Sequence, residues 1–223
     1  LQSLRTEADE QGPARLRQVV GPGGVDVNQL WFGPHRTGGT FTLVDRVTDV
    51  MGGTATLFVR QGDAFIRVST NVLKPDGPRA VGTELDPNGR AIVNLRKGEP
   101  FYGVVDILGR PYLTGYEPVV DETGKVIGAF YVGYALDTLN TVAQTLNRRG
   151  LMDHGFFALA DAADHLVCYT ESVAAPERAK EVAAKAARHE PLGDDWSVIR
   201  TTFESWDYEV MAALYLPDVR NLS

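Results

Sequence analysis

The chain has 223 residues, a formal net charge of −7, 43% hydrophobic and 23% charged residues, and a mean hydropathy of −0.15. That balance suits a folded protein with one sizeable core or two small ones and excludes a mainly disordered chain. It also argues against nucleic acid as a partner, because phosphate binding needs clustered Lys and Arg, and no stretch approaches the ~20 apolar residues that cross a bilayer.

The sequence starts at Leu1 rather than Met and shows no signal-peptide core, so it reads as a piece of a longer chain. Residues 1–18 are polar with scattered Leu and Ala, and read as a truncated helix. Glycine-rich breakers follow at Gly21–Gly24 and Gly33–Gly39, which makes residues 1–36 a helical segment and connector.

Two β-rich runs come next, Ala55–Val59 and Ala64–Val72, joined by a hairpin signal at Gly62 and closed by the Pro-Asp-Gly turn at Pro75–Gly77. A helix is predicted from an Asp86 cap and Pro87 at its first position, with Ala91, Ile92 and Leu95 on one face and Gly98 as its stop. Three further strands, Phe101–Leu108, Pro111–Val120 and Lys125–Leu136, follow at hairpin spacing. The order β-β-α-β-β-β suits an α+β fold: a PAS-like five-stranded antiparallel sheet with flanking helices, over residues 37–136.

An amphipathic connecting helix is predicted over residues 137–150, from Asp137 to Gly150. A shorter β-β-α-β-β pattern over residues 151–223 then reads as a second, smaller PAS-like unit. Its strands are Gly155–Ala160, His165–Thr170, Trp196–Phe203 and Tyr208–Leu216, and its helix is Pro176–His189. Its apolar content, with neither a buried-Arg signal nor a tyrosine cluster, predicts a packed core and no ligand.

Catalytic signatures are absent: no nucleophile elbow, phosphate loop, dinucleotide fingerprint or zinc-protease helix. The four His are scattered without ligand spacing, and Cys168 stands alone, which excludes a disulfide within the sequence. The expectation is a non-enzyme with no metal or other cofactor.

The informative pattern lies in the first sheet. A strand alternates its side chains, so Tyr112, Thr114 and Tyr116 share one face. With a four-residue turn at Leu108–Pro111, they pair with Ile107, Val105 and Gly103; with a tight turn at Asp121–Gly124, they pair with Gly133, Tyr131 and Ala129. That face combines small residues with phenols and suggests a pocket wall with room beside convergent O–H donors. The opposite face carries Val104, Leu108, Leu113, Val119, Val126, Phe130 and Val132, a surface for the N-terminal helix.

In the preceding run Phe65, Arg67, Ser69 and Asn71 alternate with Ile66, Val68, Thr70 and Val72. Arg67 is read in two ways: an edge arginine in solvent, or a guanidinium over the tyrosine face that takes a carboxylate bidentately. The candidate ligand-binding set is Arg67, Ser69, Tyr112, Thr114, Tyr116 and Tyr131. Asp106 and Glu117 project to the other side, which leaves one cation among neutral hydroxyls and favours a small monocarboxylate such as acetate.

The segments "RVSTNV", "RAVGTELD" and "GYEPVVDETGKVIGAFYVGY", within Gly52–Tyr134, resemble the Cache sensor superfamily, and more narrowly its Cache-3/Cache-2 fusion type. The resemblance extends more loosely through "GFFALAD" and "DDWSVIRTTFESWDYEVMAALY". It implies the periplasmic sensor of a bacterial inner-membrane receptor, as in methyl-accepting chemotaxis proteins. It further implies a small-molecule pocket in the membrane-distal unit, anchoring through flanking helices outside this sequence, and a signalling output across the membrane. It leaves a homodimer open. The rival readings are a dimerisation or structural module without ligand and an enzyme with an unfamiliar site.

Overall fold

The computed structural model describes residues 1–21, 24, 26–136, 153–170, 176–203 and 208–220. The chain divides into two compact units, Leu1–Ala135 and Leu136–Ser223. The helix expected over residues 137–150 lies outside the described residues.

The N-terminus departs from the sequence reading. Its helix is short, α1 (Gln2–Asp9), and the chain then enters a three-stranded antiparallel sheet, β1 (Ala14–Val20), β2 (Asp26–Phe32) and β3 (His35–Arg36). Residues 14–18, expected as helix, pair in register with β2 from Ala14↔Phe32 onward. A second helix that the sequence reading omitted, α2 (Thr42–Met51), buries Leu43, Val44 and Val47 along one stripe and stops at Gly52, whose φ of +70° favours glycine.

The main sheet of unit 1 has five antiparallel strands in the order β5-β4-β8-β7-β6. They are β4 (Thr54–Gln61), β5 (Ala64–Thr70), β6 (Phe101–Ile107), β7 (Arg110–Val120) and β8 (Val126–Ala135). The β6–β7 turn is two residues long, and both Leu108 (φ +55°) and Gly109 (φ +85°) take the left-handed backbone that a type I′ turn demands. Helix α3 (Arg90–Lys97) starts three residues later than predicted, because Asp86 forms a local turn by accepting the Asn88 N–H at 3.0 Å; Gly98 ends it in the left-handed region as expected.

Each face of this sheet carries a core. On one, Val119, Phe130 and Val132 pack with Leu4 and Ala8 of α1 and with Leu43, Val44 and Val47 of α2. Val104 and Leu108, expected there, are exposed, and Leu113 is half-buried. Val126 turns to the opposite face, because Val119 pairs with Gly128 but Val120 with Val126, which leaves Ile127 as an extra residue. On the other face Ala91, Ile92 and Leu95 of α3 cover Phe58, Phe65, Phe101 and the tyrosines.

Unit 2 is a four-stranded antiparallel sheet, order β10-β9-β12-β11. Its strands are β9 (Phe156–Asp161), β10 (Leu166–Tyr169), β11 (Trp196–Phe203) and β12 (Tyr208–Tyr215), followed by a short α5 (Leu216–Arg220). Helix α4 (Pro176–Ala187) lays Ala179, Ala183 and Ala186 against Phe156, Ala158, Ala160 and Met211, small residues that let helix and sheet approach closely. No helix among the described residues is long and apolar enough to cross a membrane.

Candidate functional site

The residues singled out in the sequence meet on the α3 face of the main sheet, with one exception. The hairpin registers are two residues away from those predicted: Tyr116 pairs with Phe101 and Tyr131, and Thr114 with Gly103 and Gly133. An even shift keeps side-chain parity, so Tyr112, Thr114, Tyr116 and Tyr131 still share one face.

Ser69 does not join them. Leu57 pairs with Ser69 but Phe58 pairs with Arg67, so Val68 is an extra residue in β5 and the parity beyond it is reversed. Ser69 turns to the α2 side and donates to the Thr40 carbonyl at 2.6 Å. Thr70 takes its place on the α3 face, where its hydroxyl lies 2.6 Å from that of Thr56, the residue opposite Tyr131.

Arg67 is buried, 7% exposed, which excludes the solvent-facing reading. The edge of β5 is covered by the following segment: Arg67 N–H donates to the Thr83 carbonyl, and Gly82 N–H donates back to the Arg67 carbonyl. The guanidinium lies 5.1 Å from the Phe58 ring centroid. Its Nη1 donates to Thr83 Oγ1 at 2.8 Å and to the Glu84 carbonyl at 3.3 Å, while Nε is buried without a partner. No described carboxylate lies within ion-pair distance of it. Burial lowers its pKa from the ordinary value, and the nearby Tyr116 and Tyr131 phenols push the other way.

The tyrosines are as enclosed as the arginine. Tyr116 and Tyr131 are each 1% exposed, with ring centroids 4.9 Å apart, and Tyr116 also touches Phe58 and Phe101. Burial raises both phenol pKa values well above the ordinary range. The Tyr131 hydroxyl is 2.9 Å from Thr54 Oγ1. Those of Tyr112 and Tyr116 have no hydrogen-bond partner among the described residues. The Thr114 hydroxyl is already committed to the Gly103 carbonyl at 2.7 Å.

The small residues were expected to leave room, and two of them do not. A Cβ on Gly133 would meet the Tyr131 hydroxyl at 2.1 Å, and one on Gly103 would meet Phe101 Cζ at 2.8 Å. Each gap holds the ring of the residue two positions away on its own strand. The glycines are there to seat those rings.

The expected absence of carboxylates from this face is observed for the two residues named. Glu117 pairs with Arg5 and accepts from the Tyr102 hydroxyl at 2.8 Å, and Asp106 accepts the Gly109 N–H at 2.8 Å. The site residues absent from the sequence reading are Thr54, Thr56 and Phe58, which period-2 alternation along β4 places together. Thr70 and Thr83 carried no local signal. No cluster of three or more His, Cys, Asp or Glu among the described residues is arranged to hold a metal ion.

A five-stranded antiparallel sheet of this order, followed by a smaller unit of the same kind, defines a PAS-like sensor fold. The chain is similar to the extracellular ligand-binding receptor from Desulfohalobium retbaense, at 12% identity and TM-score 0.59, over 95% of this chain and 36% of that one. It is also similar to the periplasmic sensory domain of the Campylobacter jejuni chemoreceptor Tlp1, at 12% identity and TM-score 0.48, over 79% and 80% of the two chains. The V. cholerae histidine kinase DctB sensor domain is a third, at 11% identity and TM-score 0.45, over 78% and 76%. These likenesses are of fold. No match was found among curated proteins. The chain belongs to the Cache 3/Cache 2 fusion domain family, whose signature matches residues 7–173, all of the main sheet and the first hairpin of unit 2.

Proposed function

We propose that this chain is the extracytoplasmic sensor domain of a bacterial transmembrane receptor, and that unit 1 binds a short monocarboxylate such as acetate at Arg67. Binding is then relayed to a cytoplasmic output of the chemoreceptor kind. The observation that carries the reading is the buried guanidinium with a stranded Nε and no carboxylate partner among the described residues, near the Tyr116 phenol, whose hydroxyl has no hydrogen-bond partner among the described residues. A buried charge of this kind is costly unless it is paired. A carboxylate supplies the missing charge, accepts from Nε, and accepts from a tyrosine O–H. With the gaps at Gly103 and Gly133 filled, the face favours an acid of few atoms.

The test is a thermal-shift and calorimetric comparison of acetate and propionate with acetamide, which has acetate's shape without its charge. Acetate is expected to raise the Tm, as any ligand of the folded state does, and acetamide is not. The same filled gaps favour a second reading, a dimerisation or structural module with no ligand. In that case no small acid shifts the Tm.

A further inference from the structure

The face of the main sheet opposite Arg67 carries a cleft of its own, ≈ 590 Å³. That volume lies within the range of small-molecule sites, about 300–1,000 Å³. Its floor is buried and partly apolar: Leu43 of α2, Leu57 of β4, and Ser69, which the extra residue Val68 turns to this side. Ser69 is fixed there by its bond to the Thr40 carbonyl. One wall is Trp31, held by Arg17 stacked 4.3 Å from its ring centroid, and its indole Nε1–H is buried without a hydrogen-bond partner.

Arg36 brings a cation to the lining beside the His35 imidazole, both exposed, and no lining residue is a carboxylate. Neither has a carboxylate within ion-pair distance among the described residues. Four other arginines of this unit are paired, Arg5 with Glu117, Arg15 with Glu122, Arg46 with Glu7 and Arg79 with Asp45, and Arg17 lies over the Trp31 ring. In a chain of net charge −7, a cleft lined only by cationic and neutral groups is a selective feature.

The geometry points to a second ligand site here, for an amphipathic organic acid whose carboxylate meets Arg36 and His35 while its apolar body rests on Leu43, Leu57 and Trp31. Arg67 projects to the other side of the sheet, so this site is independent of the proposed acetate site.

Benzoate is the probe, with benzyl alcohol as its uncharged counterpart, measured on the full 223-residue chain by calorimetry and by tryptophan fluorescence. Benzoate is expected to bind and to change the emission, and Trp31→Phe to remove that change. The double variant Arg36→Gln/His35→Gln alters two exposed side chains and is expected to weaken benzoate at least about tenfold, the loss of a charge-assisted pair. Arg67→Met leaves benzoate affinity as it was. Four results would each overturn the inference: no benzoate binding up to about 10 mM, equal binding of benzyl alcohol, no effect of the double variant, or loss of binding in Arg67→Met. Only the last would move benzoate to the acetate site, so the two readings fail separately.

Discussion

Arg67→Met is the substitution that most sharply separates a ligand anchor from a structural arginine. The guanidinium is buried, lacks a counter-charge, and its lowered pKa records a desolvation penalty carried by the folded state at every pH where the group is ionised. Methionine fills similar space, keeps contact with Phe58 and removes the charge. The losses are two hydrogen bonds, to Thr83 Oγ1 and to the Glu84 carbonyl, and Thr83 keeps its bond to the Ala80 carbonyl at 2.7 Å. Replacing a buried charge by an apolar group is often neutral or stabilising, so the ligand-free variant is expected within about 1 kcal/mol of the parent, or more stable. Acetate binding is expected to fall by about 3–5 kcal/mol, roughly 150- to 5,000-fold, since the ligand's carboxylate would then be buried unpaired. Arg67→Lys should lie between, because an ammonium cannot present a planar fork. Urea unfolding followed by circular dichroism gives the first number and titration calorimetry the second. Destabilisation beyond about 3 kcal/mol, the scale of breaking a buried pair, would refute the argument by showing that Arg67 holds the fold. Unchanged acetate affinity would refute it from the other side.

Tyr116 and Tyr131 have phenol pKa values raised by burial, so the folded state holds these protons more tightly than the unfolded chain. Their stabilisation is complete below the unfolded value near 10 and is lost as pH rises above it. An ultraviolet titration should therefore show at least two of the eight tyrosines ionising only with alkaline unfolding; reversible ionisation of all eight in the folded protein would contradict this. Gly133→Ala forces the Tyr131 hydroxyl from its place and disturbs its bond to Thr54, for an expected loss of about 1–3 kcal/mol, measured by urea unfolding. Burial raises the thiol pKa of Cys168, so its alkylation at pH 8 should run slower than that of free cysteine and match it once the protein is unfolded.

The sequence by itself determined the strand-and-turn order of the main sheet and of unit 2, while β1 to β3 and α2 escaped it. Gly62 and Gly109 dictate tight hairpins, Gly98 stops α3, and period-2 alternation fixes the Tyr112, Thr114 and Tyr116 face. That face survived register errors in both hairpins because the errors were of two residues, and only an odd shift reverses a strand. What tertiary structure alone decided lies at two single-residue insertions, Val68 and Ile127. Each flips everything beyond it, so Ser69 left the Arg67 face, Thr70 entered it, and Val126 changed cores. No local residue pattern announces such a bulge, because it is fixed by contacts from elsewhere in the chain: Ser69 with the Thr40 carbonyl, Thr70 with Thr56. The glycines mislead for the same reason. Their alternation shows that space exists at Gly103 and Gly133, but only the packed sheet shows that Phe101 and Tyr131 occupy it. The burial of Arg67 is likewise a product of long-range packing, since residues 82–85 fold back along β5 and turn an edge strand into a covered one.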